Sequence, residues 1–553
     1  MKMLNITAAA TLLLLFNTNA TAQTTAVKNA AKAALTLTAY DSDGQQTGTC
    51  LGVFTGSTGE AVGLLSPLTG ADHATVTDAK GNTMNVTRVI GFNSLYGVAH
   101  FRAGDKTTAA RVATTAATTG SRLWTADKEL QQVKVSSVET FMDEYAYYIL
   151  ETTQDIADGT ALVNDDGDVV ALAQHSVTGN AIHAVDARFV NELRINAMAL
   201  NDPTLQKINI APALPDDAGQ AQLMLMVAAQ TADSARYAAV VTDFIEQYPN
   251  MSDGYVAKAQ QLTAAGDFAQ ADKVMALMVK NATDKAEAHY RYGRLIYNNV
   301  SDGGNTYEPW TLEKALDEVR MACSTEPLPI YRHQEAQILF SMEQYDAAKD
   351  IFEGLLSTNS FKTAELLYGI ARCRQMTGAN DEELLALLDS AINLTDTLQI
   401  EDAAPYFLMR GDVYNKEEKY REAAFDYARY ALLTKQVPPA EFYYIKAQTE
   451  VNGKLYQQAL NSFAYAILLA PNEPLYLAEM AQLYLRVNQP ENALKVAERC
   501  MYVAPEYSTG HVLYGLALIK SDRRQEGLDA LAKAQEMGDT QAAQLIERYS
   551  QGE

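Results

Sequence analysis

The chain has 553 residues, of which 48% are hydrophobic and 20% charged, and its formal net charge is −24. That length exceeds what one core supports, so at least two domains are expected, and the composition excludes a disordered or fibrous chain. An acid excess without any basic run argues against a nucleic-acid partner, whose phosphates need clustered Lys and Arg; it reads as a solubility device or as an attraction for a basic partner.

Lys2, the apolar run from Ile6 to Phe16 and the small residues Ala20-Thr21-Ala22 have the layout of a secretory signal. Residues 1–22 are predicted to be a signal peptide cleaved near Ala22, which places the mature chain in the periplasm or outside the cell. An uncleaved anchor is the competing reading, although the run is short for a membrane span. No later stretch approaches that length, so no transmembrane segment is expected in the mature chain. Cys50, Cys323, Cys373 and Cys500 fit no zinc or redox spacing and read as buried thiols. No metal and no cofactor are expected.

From Ala34 to about Leu193 short apolar runs alternate with turns. Strands are predicted at 34–39, 48–54, 61–65, 74–77, 85–92, 98–102, 122–125, 132–138, 147–151, 161–163, 169–174 and 181–184. Asp43-Gly44, Lys80-Gly81 and Asp166-Gly167 mark turns between them. Such a rhythm predicts an all-β barrel or sandwich.

The order of the motifs is more specific. Gly48 to Phe54, Ala61 to Leu68, Val86 to Arg102, Ile156 to Asn164, Asp166 to Leu172 and Ala181 to Asp186 together resemble a trypsin-like (HtrA-type) serine protease domain. The resemblance covers about residues 34–195 and implies a double β-barrel. It places the catalytic histidine position on Ser66, the aspartate position on Gly97 (or Tyr96, one residue away) and the nucleophile position on Asp158. A triad needs a nucleophile, a base within hydrogen-bond reach and a carboxylate that orients the base. Ser66 cannot take up a proton near neutral pH, Gly97 has no side chain, and the Asp158 charge opposes an oxyanion. Residues 23–195 are thus expected to be an inactive protease domain, either a cleft that still grips extended peptide by strand addition or a structural cap. The alternative is an active serine-type endopeptidase with a rearranged site that uses His73, His100, His175 or His183.

Residues 196–218, with Pro203, Pro212 and Pro215, read as a linker, and 219–251 as capping helices. From there a period of 34 appears. Small residues recur twelve apart: Ala259 and Ala271, Ala336 and Ala348, Gly411 and Ala423, Ala447 and Ala459, Ala481 and Ala493, Gly515 and Gly527. Pro471 and Pro505 close two units. This pattern resembles the tetratricopeptide repeat. About eight units are predicted over 252–553, starting near Ser252, Ala286, Ile330, Lys362, Ala404, Ala440, Pro474 and Ser508, with a cap at the C-terminal end. An insertion at 298–310 and a weak second helix in the fourth unit depart from the pattern.

Stacked units of this kind make an all-α solenoid whose concave face binds a protein or peptide partner. Tyr290, Arg294, Tyr297, Tyr444, Gln448, Gln482 and Arg486 are the predicted contacts, with packing between repeats as the competing role for the tyrosines. The expected function is an exported, non-catalytic protein-binding scaffold, with an envelope assembly or chaperone-like adaptor as its narrower form.

Overall fold

The computed structural model describes residues 24–141, 145–176, 181–303, 307–359, 361–395 and 397–550. The predicted signal peptide lies outside the described residues. The chain divides into two compact units, one up to Ala288 and one from His289 onward.

The first unit begins with helix α1 (Thr25–Ala30), then forms strands β1 (Ala34–Tyr40), β2 (Gln46–Phe54), β3 (Glu60–Leu64), β4 (His73–Asp78), β5 (Thr83–Asn93) and β6 (Val98–Ala103). These close into an antiparallel barrel in the order β1-β2-β3-β6-β5-β4. A second set follows: β7 (Arg122–Thr125), β8 (Gln132–Phe141), β9 (Tyr145–Glu151), β10 (Ala161–Val163), β11 (Val169–His175) and β12 (Ile182–Asp186). It closes as β10-β11-β12-β9-β8-β7, the same circular order counted from its own first strand. Every predicted strand overlaps one of these twelve.

Alternation explains the barrel walls. In β1, Leu35, Leu37 and Ala39 are buried and their neighbours half-exposed, as the two-residue period of a strand requires. The hairpin turns share one device. Asp41 Oδ1 accepts the N–H groups of Asp43 and Gln45, Asp78 Oδ1 those of Lys80 and Asn82, and Asn164 Oδ1 those of Asp166 and Asp168. Each side chain thereby stands in for a backbone acceptor and fixes the turn.

Residues 196–218, read as a linker, run along the first barrel until α2 begins at Ala218. Pro212 bridges Val89 in parallel, Asn209 N–H donates to the Ala71 carbonyl, and Gly70 N–H donates to that of Lys207. Helices α2 (Ala218–Thr231) and α3 (Ser234–Gln247) follow. Met224, Leu225, Val240 and Phe244 join the buried cluster that fills the first barrel. Arg88 on β5 grips Asp243 on α3 with two bonds, of 2.6 and 2.5 Å.

The remaining helices form eight pairs: α4 (Ser252–Ala264) with α5 (Phe268–Asn281), α6 (Lys285–Ser301) with α7 (Leu312–Thr325), α8 (Pro329–Ser341) with α9 (Tyr345–Ser357), α10 (Thr363–Met376) with α11 (Asp381–Asn393), α12 (Ala404–Lys416) with α13 (Tyr420–Leu433), α14 (Ala440–Asn452) with α15 (Tyr456–Leu469), α16 (Pro474–Arg486) with α17 (Pro490–Val503), and α18 (Ser508–Lys520) with α19 (Arg524–Glu536). Helix α20 (Thr540–Ser550) ends the array. The predicted starts fall within a residue of the observed ones. The second helix of the fourth unit, expected to be weak, is a full α11, because Asn380 caps it by accepting from Glu383 N–H.

The small-residue pairs sit where paired helices cross. Ala259, Ala271, Ala336, Ala348, Ala447, Ala459, Ala481 and Ala493 are wholly buried. A Cβ added to Gly515 would stand 2.8 Å from the Gly527 carbonyl oxygen, so the backbones themselves touch there. The turns within the pairs are equally regular. Glu343, Glu418, Lys454, Asn488 and Asp522 all adopt φ near 60°, where α4 and α10 are followed by Gly266 and Gly378. In the α12 turn, the Lys419 N–H after this left-handed residue donates back to the Tyr414 carbonyl, the geometry that closes a helix C-terminus.

Candidate functional site

The first candidate site lies where the two barrels meet. Gly159, with φ +80°, lets its loop pass so close to β2 that a Cβ there would stand 2.0 Å from the Leu51 carbonyl oxygen. Leu51 N–H donates to the Asp158 carbonyl at 2.8 Å. On the same junction Leu65 N–H donates to Gly97, and Gln174 Nε2 donates to Tyr96. Tyr96, Gly97 and Asp158 therefore lie along a hydrogen-bonded path with Leu51, Leu65 and Gln174, and Ser66 adjoins it as the residue after Leu65.

The chemistry of that path is set by His175. Its Nδ1 lies 2.8 Å from Asp158 Oδ1 and its Nε2 lies 2.9 Å from Asp155 Oδ1. Both ring nitrogens thus face carboxylates, and the bonds to Asp155 and then Asp158 raise the imidazole above its ordinary range. Beside the loop, burial pushes the Cys50 thiol up to about 12, and the Asp158 charge adds to the rise. A thiol so placed stays protonated and is a poor nucleophile.

The other histidines lie elsewhere. His73 stacks on Tyr40 with ring centroids 5.0 Å apart, and His183 stacks on Tyr147 at 5.2 Å. His100 is buried in the first barrel, where Arg194 donates to its Nδ1 at 3.1 Å. Burial, followed by the Arg194 charge, lowers it to about 4. The sequence offered His73, His100, His175 and His183 alike as bases and missed the partnership of His175 with Asp158.

The second candidate site lies on the helices of the second unit. Tyr290 is buried and packs against Tyr331, 4.7 Å between centroids, while exposed Arg294 covers the Tyr290 ring at 5.5 Å. Tyr297 Oη lies 3.1 Å from Ser341 Oγ. Tyr444 stacks on Tyr476 at 4.9 Å, and Gln448 Nε2 donates to its hydroxyl at 2.6 Å. Gln482 is exposed, and exposed Arg486 lies over Tyr456 at 5.0 Å. The seven predicted residues form three separate groups: Tyr290, Arg294 and Tyr297 on α6, Tyr444 and Gln448 on α14, and Gln482 and Arg486 on α16. Aromatic rings order Arg294, Gln448 and Arg486 in these groups. Trp310 is buried against Tyr307 and anchors the insertion.

Between these groups lies a cleft of about 860 Å³ that the sequence did not foretell. Its lining comes mainly from α8, α10, α12, the segment after α11 and the loop after α13, with Phe352 of α9 and Tyr430 and Leu433 of α13. After α11 the chain is longer than the repeat requires, and that length forms a three-ten turn ending at Ala403.

No protein-family model matches the chain. A stretch of 87 residues, 16% of the chain, is 29% identical to the small glutamine-rich tetratricopeptide repeat-containing protein 2 of Mycosarcoma maydis, and it spans 25% of that relative's length. Among solved structures the chain is similar to MamA, at 17% identity and a TM-score of 0.28 over 33% of this chain and 95% of that one. It is also similar to YrrB, described as a TPR protein with an unusual peptide-binding site, at 19% identity and a TM-score of 0.30 over 36% and 97%. With the helix pairs already described, the sequence match identifies tetratricopeptide-type repeats in a helical solenoid. Among the described residues, no helix is long and apolar enough to cross a membrane.

Proposed function

We propose that the protein is an exported, non-catalytic scaffold that binds protein or peptide partners, built from an inactive trypsin-like double barrel and a tetratricopeptide solenoid. Two antiparallel barrels of identical strand order support the trypsin-like reading. The observation that carries the loss of catalysis is His175, whose ring nitrogens are both engaged by Asp158 and Asp155. A base so engaged cannot activate a hydroxyl, and a carboxylate at the nucleophile position repels a developing oxyanion. The solenoid supplies the binding surface, because stacked helix pairs present ordered aromatic and polar groups to a partner. The exported location rests on the composition of residues 1–22.

The test is a photo-crosslinking amino acid placed at Gln482 in the full chain, with Gln458 on α15 as the comparison position. In an envelope extract of the source cell, discrete adducts from position 482 and none from 458 are expected. Equal labelling from both positions would count against a defined binding face. Suppression of client aggregation would favour the chaperone-like form of the same reading.

A further inference from the structure

We propose that the cleft lined by α8, α10 and α12 binds an extended peptide through an internal acidic side chain, whose carboxylate is received by Arg372. The proposal deepens the scaffold reading, on which it rests, by naming a site and a ligand chemistry.

The cleft volume, about 860 Å³, falls in the range of sites that enclose most of a ligand. His333 and Gln337 come from α8, Tyr368 and Arg372 from α10, Tyr406 from α12, and Val437 from the loop after α13. Three cations and three carboxylates line it; Glu365 lies 3.3 Å from His333 Nε2, and two of the cations are matched by the other two carboxylates. Lys362 pairs with Asp402 at 3.6 Å, and Lys435 with Glu401 at 3.4 Å. Arg372 differs from both. Its guanidinium lies 4.0 Å from the Phe340 ring centroid and 5.8 Å from that of Tyr368. Its side chain is exposed, and no carboxylate among the described residues lies within ion-pair distance of it.

Stacking on rings fixes the plane of a guanidinium and leaves its edge N–H groups free to point outward. That edge matches a carboxylate with two parallel bonds. Apolar contacts are supplied beside it. Leu394 is 58% exposed and Val437 75% exposed, and both line the cleft. The ligand is therefore a segment that carries a carboxylate close to a large apolar side chain. Helix α10 is the middle of the three first helices that line the cleft, so a bound chain extends past Arg372 in both directions. This favours an internal Asp or Glu over a chain terminus.

The test uses the full-length protein and two fluorescent peptide pools, capped at both ends, with a central Glu or Gln flanked by Leu, Phe and Ala. Fluorescence anisotropy is expected to show the Glu pool binding at least about tenfold tighter, as charge-assisted bonds allow. Arg372→Gln should abolish that preference in protein that circular dichroism shows to be folded. Arg372→Lys should keep only part of it, because the ammonium offers no planar edge. Equal binding of the two pools, a preference that survives Arg372→Gln, or no binding of either pool overturns the proposal. The crosslinking comparison at Gln482 is independent of these peptides, so a failure here is distinct from a failure of the scaffold reading.

Discussion

His175 holds the Asp158 carboxylate twice, since its backbone N–H donates to Oδ1 at 2.7 Å and its ring Nδ1 lies 2.8 Å from the same oxygen. Asp155 on the other ring nitrogen adds to this hold, and the two carboxylates raise the imidazole above its ordinary range. Its raised pKa means that the stabilisation is fully present below the ordinary histidine value of about 6.5 and is lost as pH rises through the folded value. An NMR titration of the His175 ring should give a midpoint above that of a free histidine, and Asp158→Asn should lower it. Because the cluster is solvent-exposed, removal of either carboxylate should change the stability little.

His100 has the opposite sign. Burial and then Arg194 depress it to about 4, so the unfolded chain binds a proton that the folded barrel refuses. Its contribution is present above the unfolded value of about 6.5 and is lost as pH falls toward 4, a loss on the order of 3 kcal/mol at the acid end. Thermal melts of the first unit should therefore fall between those values, and His100→Leu should flatten that part of the profile. An unchanged acid slope in the variant would place the effect elsewhere.

The clasp of Arg88 on Asp243 ties β5 to α3 at a site where the Asp243 side chain is only 15% exposed. Asp243→Ala leaves a half-buried guanidinium without its partner and should cost roughly 2–4 kcal/mol. Hydrogen exchange should quicken along α3 and at the 208–213 backbone bonds to the barrel. Exchange confined to α3 would show that the segment 196–217 is held independently of the clasp.

The left-handed residues that close the helix pairs give a stabilising route. Glu418 sits at φ 60°, a conformation that disfavours a side chain by about 1 kcal/mol relative to glycine. Glu418→Gly should therefore raise the denaturation midpoint of the second unit by a gain of about 0.5–1 kcal/mol. Lys454→Gly should do the same, and Asn488→Gly should gain less because asparagine tolerates this region. A loss in all three would mean that these side chains make compensating contacts.

Period and alternation are local, which is why the strands and the repeat starts were readable from the chain. β1 shows its buried face at every second residue, and Ala447, Ala481 and Gly515 recur at the repeat length because the same helix crossing recurs. The pairing of His175 with Asp158 was not readable. It depends on how the β11 edge passes the loop before β10, and no pattern in either segment records that distance. Residues 196–217 carry prolines and no period, so composition could not show that they lie along the first barrel through Pro212 and Asn209. Tyr290 has the repeat position of a surface contact, yet the partner that buries it, Tyr331, stands in the next unit. The cleft at Arg372 arises from a change in spacing between units, which a search for regular spacing passes over.

The most direct measurement treats the purified full chain with a fluorophosphonate probe and, in parallel, with a quenched casein substrate across neutral to mildly alkaline pH. No active-site label and no hydrolysis above the buffer blank are predicted, in the chain as it stands and in Asp158→Asn alike. A stoichiometric label that disappears on denaturation, accompanied by cleavage of casein, would contradict the loss of catalysis in the double barrel.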